Sequence, residues 1–339
     1  MKLNTKKRLE VYKQFYALTK EGVGVKDSLE TLLAIANKTK SIWKVRLFES
    51  WLKKYSELPN LSMVIKDDIV ENEFLLISTS EKSGEIYEGF LEVIQLIESN
   101  RKIKDLLVGS LVPPLFLFFV CIVIIVGYAH QVLEVFIPFA PVSKWPVISA
   151  ALYNTGHYFT SIAALIHIII VISIFVGVFY FLKHGKGKFR DLLHRTGLFK
   201  IQEMFVVVNF LKMLGTLMLS GVSFSDAINE IYKLTNQGWL RSRLAMIKDE
   251  IKKTNAVVDC FDVYFLPPEL LSLIGVYSST GDFSHSINIV ANNLREELEG
   301  KLKKLGKIFN LFGVLLVSAT AIWIYYAMFN LSGMLTKNG

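Results

Sequence analysis

The stretch Leu115-Phe-Leu-Phe-Phe-Val-Cys-Ile-Val-Ile-Ile-Val126 lies inside a longer segment, residues 106–129, that carries no charged side chain. About 20 consecutive apolar residues in a helix cross the roughly 30 Å hydrocarbon core of a bilayer. Residues 158–182 and 308–335 are also uncharged, apart from His167 if its ring is protonated. The sequence therefore predicts an integral membrane protein with three transmembrane helices, at residues 106–129, 158–182 and 308–335.

The basic residues that flank these segments predict their orientation. Lys and Arg cluster just before residue 106, just after residue 182 and just before residue 308, whereas residues 130–157 carry only Lys144 and the tail after residue 335 only Lys337. Positive charge stays on the cytoplasmic side, which also accounts for the net charge of +8. We therefore expect a multi-pass protein of the bacterial inner membrane with a cytoplasmic N-terminus and a periplasmic C-terminus.

The segments between the spans divide the rest of the chain. Residues 1–105 and 183–307 have the composition of soluble domains and are long enough for separate cores, so we expect two cytoplasmic domains there. Residues 130–157 form a short periplasmic loop whose prolines oppose regular structure, and residues 336–339 form a periplasmic tail. The basic start of the chain lacks the apolar core of a secretory signal, and Cys121 and Cys260 are expected to stay reduced.

An internal repeat relates the two cytoplasmic domains. The segment that starts at Gly22 (Gly-Val-Gly-Val-Lys-Asp-Ser-Leu) aligns with the segment that starts at Gly221 (Gly-Val-Ser-Phe-Ser-Asp-Ala-Ile). Further along, residues 74–86 align with residues 271–283 at nearly the same offset. A near-constant offset predicts a duplicated domain with its following span, and residues 158–182 are then the extra helix that returns the chain to the cytoplasm.

Both domains have helical periodicity. Apolar residues recur three or four positions apart after each domain start, and long apolar stripes begin at Ile86 and Phe283 and lead into the first and third spans. Alternation typical of strands is absent over any useful length. The sequence predicts an all-α protein: two repeated helical bundles joined to three transmembrane helices.

Two kinds of turn are the candidate contact motifs. Gly22 and Val23 open the first aligned segment and Gly221 and Val222 the second, and Ser223 and Asp226 match a helix capping box. The second kind of turn carries the densest polar signal. Its residues are Glu81, Gly84 and Glu85 in the first domain and Gly281 and Asp282 in the second.

The two glutamates of that turn have two interpretations. Glu81 and Glu85 could act as acid and base or bind a hard cation. The simpler interpretation is a tight turn that a glycine permits, followed by a capped helix. Ser278 stands at the position paired with Glu81, so the second copy lacks one carboxylate, and this favours the turn, with a contact surface as its functional part.

Motifs for catalysis or cofactor binding are missing. The Lys183-His-Gly-Lys-Gly-Lys188 run lacks the spacing of a phosphate-binding loop and is interpreted as a basic anchor beside the membrane. The six histidines look scattered, without metal-ligand spacing, and His167 is interpreted as a neutral ring packed or hydrogen-bonded between helices rather than a proton relay. We expect no enzyme activity, no catalytic residues, no cofactor, no metal and no nucleic-acid binding.

These residues together resemble the platform proteins of type II secretion and type IV pilus machines, of the GspF/PilC kind. The turns at Gly22 and Gly221, the polar turns at Glu81 and Gly281, the repeat and the three spans carry the resemblance. A proline that the family usually has in the first turn is absent from both copies. That departure, the missing glutamate and the short chain resemble the type IVb pilus branch.

The resemblance implies a function in filament assembly. The protein would couple a cytoplasmic assembly ATPase to the insertion of pilin subunits, contacting the ATPase, pilin transmembrane helices, other inner-membrane assembly proteins, the lipid bilayer and further copies of itself, as a dimer or larger oligomer. The apolar stripes after Ile86 and Phe283 would transmit force. The alternatives are a small transporter or channel component, although intramembrane polar groups are few, and an adaptor of another export system.

Overall fold

The computed structural model describes residues 3–184, 197–235, 238–253, 259–261, 266, 268–278 and 283–338. Every regular element in these ranges is helical, as predicted. The residues fall into two compact units, which we call the helical unit (Met1–Ile103 and His184–Leu298) and the membrane unit (Lys104–Lys183 and Glu299–Gly339).

The first half of the helical unit contains five helices and the start of a sixth. Their bounds are α1 Thr5–Lys20, α2 Val25–Lys38, α3 Ile42–Tyr55, α4 Leu61–Ile65, α5 Glu71–Lys82 and α6 Ile86–Gln131. Aromatic rings form the centre of the core: Phe15 stacks on Phe90 with ring centroids 5.2 Å apart, and Phe48 and Trp51 meet edge to face at 6.0 Å. Burial of such rings is a large source of stability.

The second half of the helical unit continues the numbering after α7 and α8 of the membrane unit. Its helices are α9 Gly197–Leu219, α10 Phe224–Leu234, α11 Gly238–Ile251 and α12 Pro268–Ser278, with a 3-10 turn at Asp259–Phe261, and α13 Phe283–Asn338 follows. Phe224 contacts Phe261 and Phe283 edge to face, with centroids 5.7 and 5.9 Å apart.

Helix α9 has the composition of a membrane span. Its residues Lys200–Leu219 are long and apolar enough to cross a bilayer, yet 61% of the most apolar window is buried inside the protein. Phe210, Leu211, Leu214 and Leu217 are each almost completely buried. A helix that is apolar nearly all round and covered by protein is a core helix.

The membrane unit contains the uncharged segments. By length and composition α6 and α13 can each span a membrane, and so can α7 with α8 if that bent pair is one span. Helix α6 runs without interruption from Ile86 to Gln131 with Pro113 and Pro114 in its interior. Only small parts of the apolar windows of α6 and α13 are buried, 11% in each, as expected for helices whose surroundings are lipid.

The predicted second span, residues 158–182, is wrong at its start. Helix α7, Val147–Thr160, ends after Tyr158, and α8, Ile162–His184, begins beyond a break at Ser161. The two helices meet at a bend of 69°. Ser161 has extended backbone angles, and its hydroxyl accepts a hydrogen bond from the amide of Ala164 at 3.3 Å. A serine in this position caps a new helix rather than continuing the old one.

The prediction that prolines keep residues 130–157 irregular is also wrong. Two 3-10 turns, Leu133–Phe136 and Val142–Lys144, are followed by the four-turn helix α7. Pro146 lies directly before α7, where its missing N–H costs no helical hydrogen bond. A small hydrophobic core stabilises the segment, and its most buried members are Ile125, Leu133, Trp145, Leu152, Ala327 and Leu331.

Candidate functional site

The turn at Gly22 and Val23 is a helix C-terminus of the Schellman type. Gly22 has φ +82°, and its amide donates to the carbonyl of Thr19 at 3.1 Å. The amide of Val23 donates to the carbonyl of Leu18, also at 3.1 Å. These two bonds satisfy carbonyls at the end of α1, and the left-handed conformation favours glycine. The residue pattern is thus explained by backbone geometry alone.

The turn at Gly84 and Glu85 repeats this geometry at the end of α5. Gly84 has φ +83°, its amide donates to Glu81 O at 3.2 Å, and the Glu85 amide donates to Ser80 O at 2.9 Å. The tight turn predicted from the sequence is therefore present. Glu85 has an exposed side chain, which leaves it available to a partner.

The Glu81 carboxylate belongs to the fold. Its Oε1 accepts a hydrogen bond from the Leu61 amide at 2.6 Å, and its Oε2 accepts one from the Ser62 amide at 2.9 Å. Both amides lie at the start of α4, where N–H groups lack partners within the helix and attract negative charge. With both oxygens held by backbone amides, Glu81 caps α4, and this arrangement does not present its oxygens to a cation together with Glu85.

The second half has the same turn at Gly221 and Val222. Gly221 has φ +83°, its amide donates to Met218 O, and the Val222 amide donates to Leu217 O, both at 3.0 Å. The next helix begins with the predicted cap: Ser223 Oγ accepts from the Asp226 amide at 3.2 Å. Gly281 and Asp282 lie outside the described residues. The proposed partner contacts of all these turns stay predictions.

The membrane unit holds two helices in close contact. A Cβ built on Gly306 of α13 would lie 2.6 Å from Ser110 Oγ of α6, and one on Gly313 would lie 2.9 Å from the Leu117 side chain. Ser110 Oγ also donates to the carbonyl of Leu302 at 3.2 Å. Small residues that let backbones approach, with a hydroxyl bonded across the interface, are typical of helix packing in membranes.

Apolar side chains cover the outer surface of the same helices. Phe116 and Phe119 of α6, Ile162 of α8 and Phe312 and Phe329 of α13 are each between 62% and 80% exposed. His167, on α8, is exposed and pairs its Nδ1 with the carbonyl of Ala163 at 2.7 Å. This hydrogen bond lies within its own helix, but the ring also contacts that of Tyr158 on α7, with centroids 6.0 Å apart. The exposed surface suits lipid and apolar helices of other proteins.

The sequence-based interpretation missed one polar cluster. His130, at the end of α6, and Glu134, in the 3-10 turn that follows, lie beside His157 of α7, and their ligand-type atoms are all within 4.8 Å of one another. The histidines are therefore not all scattered. The spacing of His130 and Glu134 is a signal that the sequence offered, whereas His157 joins them only through the packing of α7.

Comparisons with known proteins show what the chain is similar to. Residues 210–330 match the family described as type II secretion system (T2SS), protein F. The whole chain is 27% identical over 346 aligned positions to the toxin coregulated pilus biosynthesis protein E of Vibrio cholerae serotype O1 (strain ATCC 39315 / El Tor Inaba N16961), and the alignment covers 100% of both chains. Both matches agree with the helical architecture and the apolar helices that could span a membrane. The chain is thus similar to platform proteins of the GspF/PilC type.

Proposed function

We propose that this protein couples a cytoplasmic assembly ATPase to the insertion of pilin subunits into a growing filament, in a type IV pilus machine of the IVb branch or a related type II secretion machine. The observation that carries the proposal is the match to a pilus biosynthesis protein over the full length of both chains. The aligned positions include the helical unit as well as the membrane helices. The similarity therefore extends to every region that the proposed mechanism would use.

The helical unit is the proposed contact for the ATPase. It lies in residues that the basic flanks assign to the cytoplasm, and it carries the turns with the exposed Glu85 and the half-buried Val23 and Val222. The protein itself supplies no hydrolysis in this scheme. Energy arrives from the partner and reaches the bilayer through α6 and α13, which are the helices that leave the helical unit toward the uncharged segments.

The membrane unit is the proposed seat for pilin. The apolar N-terminal helix of a pilin subunit would pack on the exposed faces of α6, α8 and α13, on the side chains that otherwise contact lipid. A pilin helix and a lipid tail are similarly apolar, so binding there depends on shape and helix packing rather than on a hydrophobic driving force. Weak binding of this kind suits a subunit that must leave for the filament.

The proposed architecture includes a domain duplication. Schellman turns at Gly22 and Gly221 support it, as does the similar order of helices after each, from α2 to α6 and from α10 to α13. In this proposal the first copy occupies residues 1–105 and the second residues 183–307, the N-terminus is cytoplasmic, and the C-terminus is periplasmic. Two copies on one chain would give a pseudo-symmetric surface, and a dimer of the chain would double it.

The deciding experiment uses a strain in which the gene is deleted and the ATPase and pilin are still produced. We expect no surface filaments in this strain. In a strain that produces the protein, we expect the detergent-solubilised protein to retain the ATPase in a pull-down. The variant Glu85→Lys should weaken this retention and reduce piliation, because it reverses an exposed charge in the polar turn. Glu88→Lys, which reverses another exposed charge on the next turn of α6, is the matched control. Normal filaments in the deletion strain, with the ATPase still at the membrane, would refute the proposal.

The competing classes have their own readouts. Substrate-dependent flux of an ion or solute in proteoliposomes that contain only this protein would favour a transporter. Retention of an ATPase from a different export system, with none for the pilus ATPase, would favour an adaptor of that system.

A further inference from the structure

Three side chains, at the end of α6, in the 3-10 turn after it and on α7, form a compact nitrogen and oxygen cluster in the membrane unit. His130 Nδ1 lies 2.9 Å from Glu134 Oε1, and His157 Nε2 lies 3.4 Å from the same oxygen. The two imidazole rings are in contact, with centroids 4.1 Å apart. All three side chains are roughly one-third to two-fifths exposed, although the Nε2 atom of His157 itself is shielded from solvent.

A close crossing of two helices fixes this arrangement. A Cβ on Gly156 of α7 would lie only 2.2 Å from the Cβ of Ala129 of α6 and 3.1 Å from the carbonyl oxygen of Ile125. Only glycine permits this approach. Because His157 directly follows Gly156 and His130 directly follows Ala129, the crossing brings the two rings together. The buried hydroxyl of Ser149, which donates to Ala327 O at 2.6 Å, ties α7 down at its other end.

The hydroxyl of Thr160 determines which nitrogen of His130 faces the cluster. Thr160 Oγ1 donates to the carbonyl of His157 at 3.0 Å and lies 3.3 Å from His130 Nε2. In the tautomer in which Thr160 accepts from His130, Nε2 carries the ring proton. Nδ1 then has its lone pair on the side of the Glu134 carboxylate, which is the arrangement that a cation bound between the two atoms requires.

The third member of the cluster also lacks a partner for its nitrogen. His157 Nε2 is shielded from solvent and makes no hydrogen bond to any residue that the structure describes. The approach to Glu134 Oε1 at 3.4 Å does not have hydrogen-bond geometry. Three ligand atoms thus converge, and both imidazoles have a nitrogen whose lone pair can point into the space between them.

We propose that His130 Nδ1, Glu134 Oε1 and His157 Nε2 bind a divalent transition-metal ion, with zinc as the best match. Imidazole selects zinc, copper, nickel or iron over calcium and magnesium, and two histidines with one glutamate form a known open zinc site that leaves a fourth position for water. Bonds of roughly 2.0–2.2 Å in a tetrahedron put neighbouring ligand atoms about 3.4 Å apart, so the pairs at 2.9 and 3.4 Å need only small shifts.

The surrounding residues supply the outer shell that such sites use. The Nε2–H of His130 donates to Thr160, as metal-bound histidines commonly donate their second N–H to an oxygen that orients the ring. The bound ion joins the end of α6 to α7, and with it the segment that connects the first and second apolar helices. We infer that the ion rigidifies this connecting segment, independently of which machine the protein serves.

The test is a zinc titration of the full chain in detergent, purified without a histidine tag and treated with a chelator. We expect one Zn²⁺ per chain and a rise in melting temperature on binding, because a ligand that binds only the folded state stabilises it. His130→Gln, Glu134→Gln and His157→Gln should each weaken binding at least about tenfold, and Thr160→Val about 10- to 100-fold. His167→Gln, which removes a histidine that lies on α8 in the same unit, should bind like the wild type.

A spectroscopic measurement of the metal's coordination tests the site directly, even where a variant also disturbs the fold of the segment. Co²⁺ in place of Zn²⁺ gives intense visible bands in a tetrahedral site and weak ones when it is bound loosely with six ligands. Intense bands in the wild-type chain, absent in His157→Gln, support the site. The proposal is overturned by wild-type protein that takes up no stoichiometric zinc, as expected if His130 and Glu134 form only an ion pair, or by zinc binding that persists unchanged in all three ligand variants.

Discussion

In the first half of the helical unit, α1 carries Arg8 and Tyr12 onto Glu73 of α5. In the second half, the proposed repeat places Val207 and Leu211 of α9 and Leu270 of α12 at the paired positions. Glu73 is 3% exposed, and its carboxylate accepts two hydrogen bonds from Arg8, at 2.7 and 3.1 Å, and one from Tyr12 at 2.7 Å. The first half therefore has a buried polar network at positions whose proposed counterparts in the second half are apolar residues in the sequence.

The difference teaches which features the fold requires and which it tolerates. Both halves keep the positive-φ glycine at the end of their first helix, Gly22 and Gly221, because the chain has to reverse there. Neither half needs the same core chemistry. A buried ion pair is often no more stabilising than apolar residues of similar volume, although removal of one partner is costly. The network in the first half is a local solution that the architecture does not demand.

The largest expected effect comes from breaking that network on one side. Glu73→Leu leaves the Arg8 guanidinium buried without its carboxylate and should lower the free energy of unfolding by about 3–5 kcal/mol. The triple variant Arg8→Val, Tyr12→Leu, Glu73→Leu copies the second half and should recover most of this loss. Urea unfolding of the detergent-solubilised chain, followed by far-ultraviolet circular dichroism, measures both.

An exposed ion pair in the same half is the control for this prediction. Lys13 and Glu98 are about half exposed and 2.5 Å apart, so Glu98→Gln should change the free energy of unfolding by less than about 1 kcal/mol. A triple variant as unstable as Glu73→Leu would show that the first half depends on its polar network after all.

A smaller effect is expected at the polar turn of the first half. Glu81→Ala removes the carboxylate that caps α4 and should cost about 2 kcal/mol, the range for a charged acceptor of backbone amides at a helix start. Glu85→Ala, in the same turn but with an exposed side chain, should stay within about 0.5 kcal/mol. Equal losses for the two variants would mean that the bonds to Leu61 and Ser62 contribute nothing.

The smallest effect is a pH dependence confined to the first half. Burial, and then the charge and hydrogen bond of Glu73, raise the pKa of Tyr12 well above its ordinary value of 10.0. The stabilisation that the protonated Tyr12 hydroxyl contributes is therefore complete below about pH 10. It declines as the pH rises toward the pKa that Tyr12 has in the folded state. Tyr12→Phe should be less stable than wild type by about 1 kcal/mol at about pH 8, and the difference should shrink as the solution becomes more alkaline.

The measurement is the pair of unfolding curves at each pH. Leu211 occupies the paired position in the second half and cannot titrate, so it contributes no such pH-dependent stabilisation. A difference between Tyr12→Phe and wild type that stays constant from about pH 8 to about pH 11 would contradict the assigned cause.

The comparison also marks what the sequence can predict. Helical spacing and uncharged length predicted the all-α fold and the regions of α6, α8 and α13, since both are local properties of the chain. The reversals at Gly22, Gly84 and Gly221 were predictable because left-handed turns favour one residue type. The capping of α4 by Glu81 was not, because the partners are 20 residues apart and meet only in the folded unit.

Tertiary packing likewise explains the larger omissions. The prolines of residues 130–157 suggested an irregular loop, but the core around Trp145 and Leu152 stabilises α7 after Pro146. The contact between His130 and His157 depends on the crossing at Gly156. Neither could be predicted from spacing, because each requires knowing which helices touch.

Helix α9 has a consequence for biosynthesis. A segment apolar enough to cross a bilayer is open to capture by the membrane-insertion machinery while it emerges from the ribosome. Its neighbours in the folded unit include α5 and the hydrogen bond from Thr216 to Glu92 of α6 at 3.0 Å, and both precede α9 in the chain. Translation therefore makes part of the surface that buries α9 before α9 itself, and this part favours folding over insertion. The rest of that surface, from α10 and from Asn288 of α13, is made later.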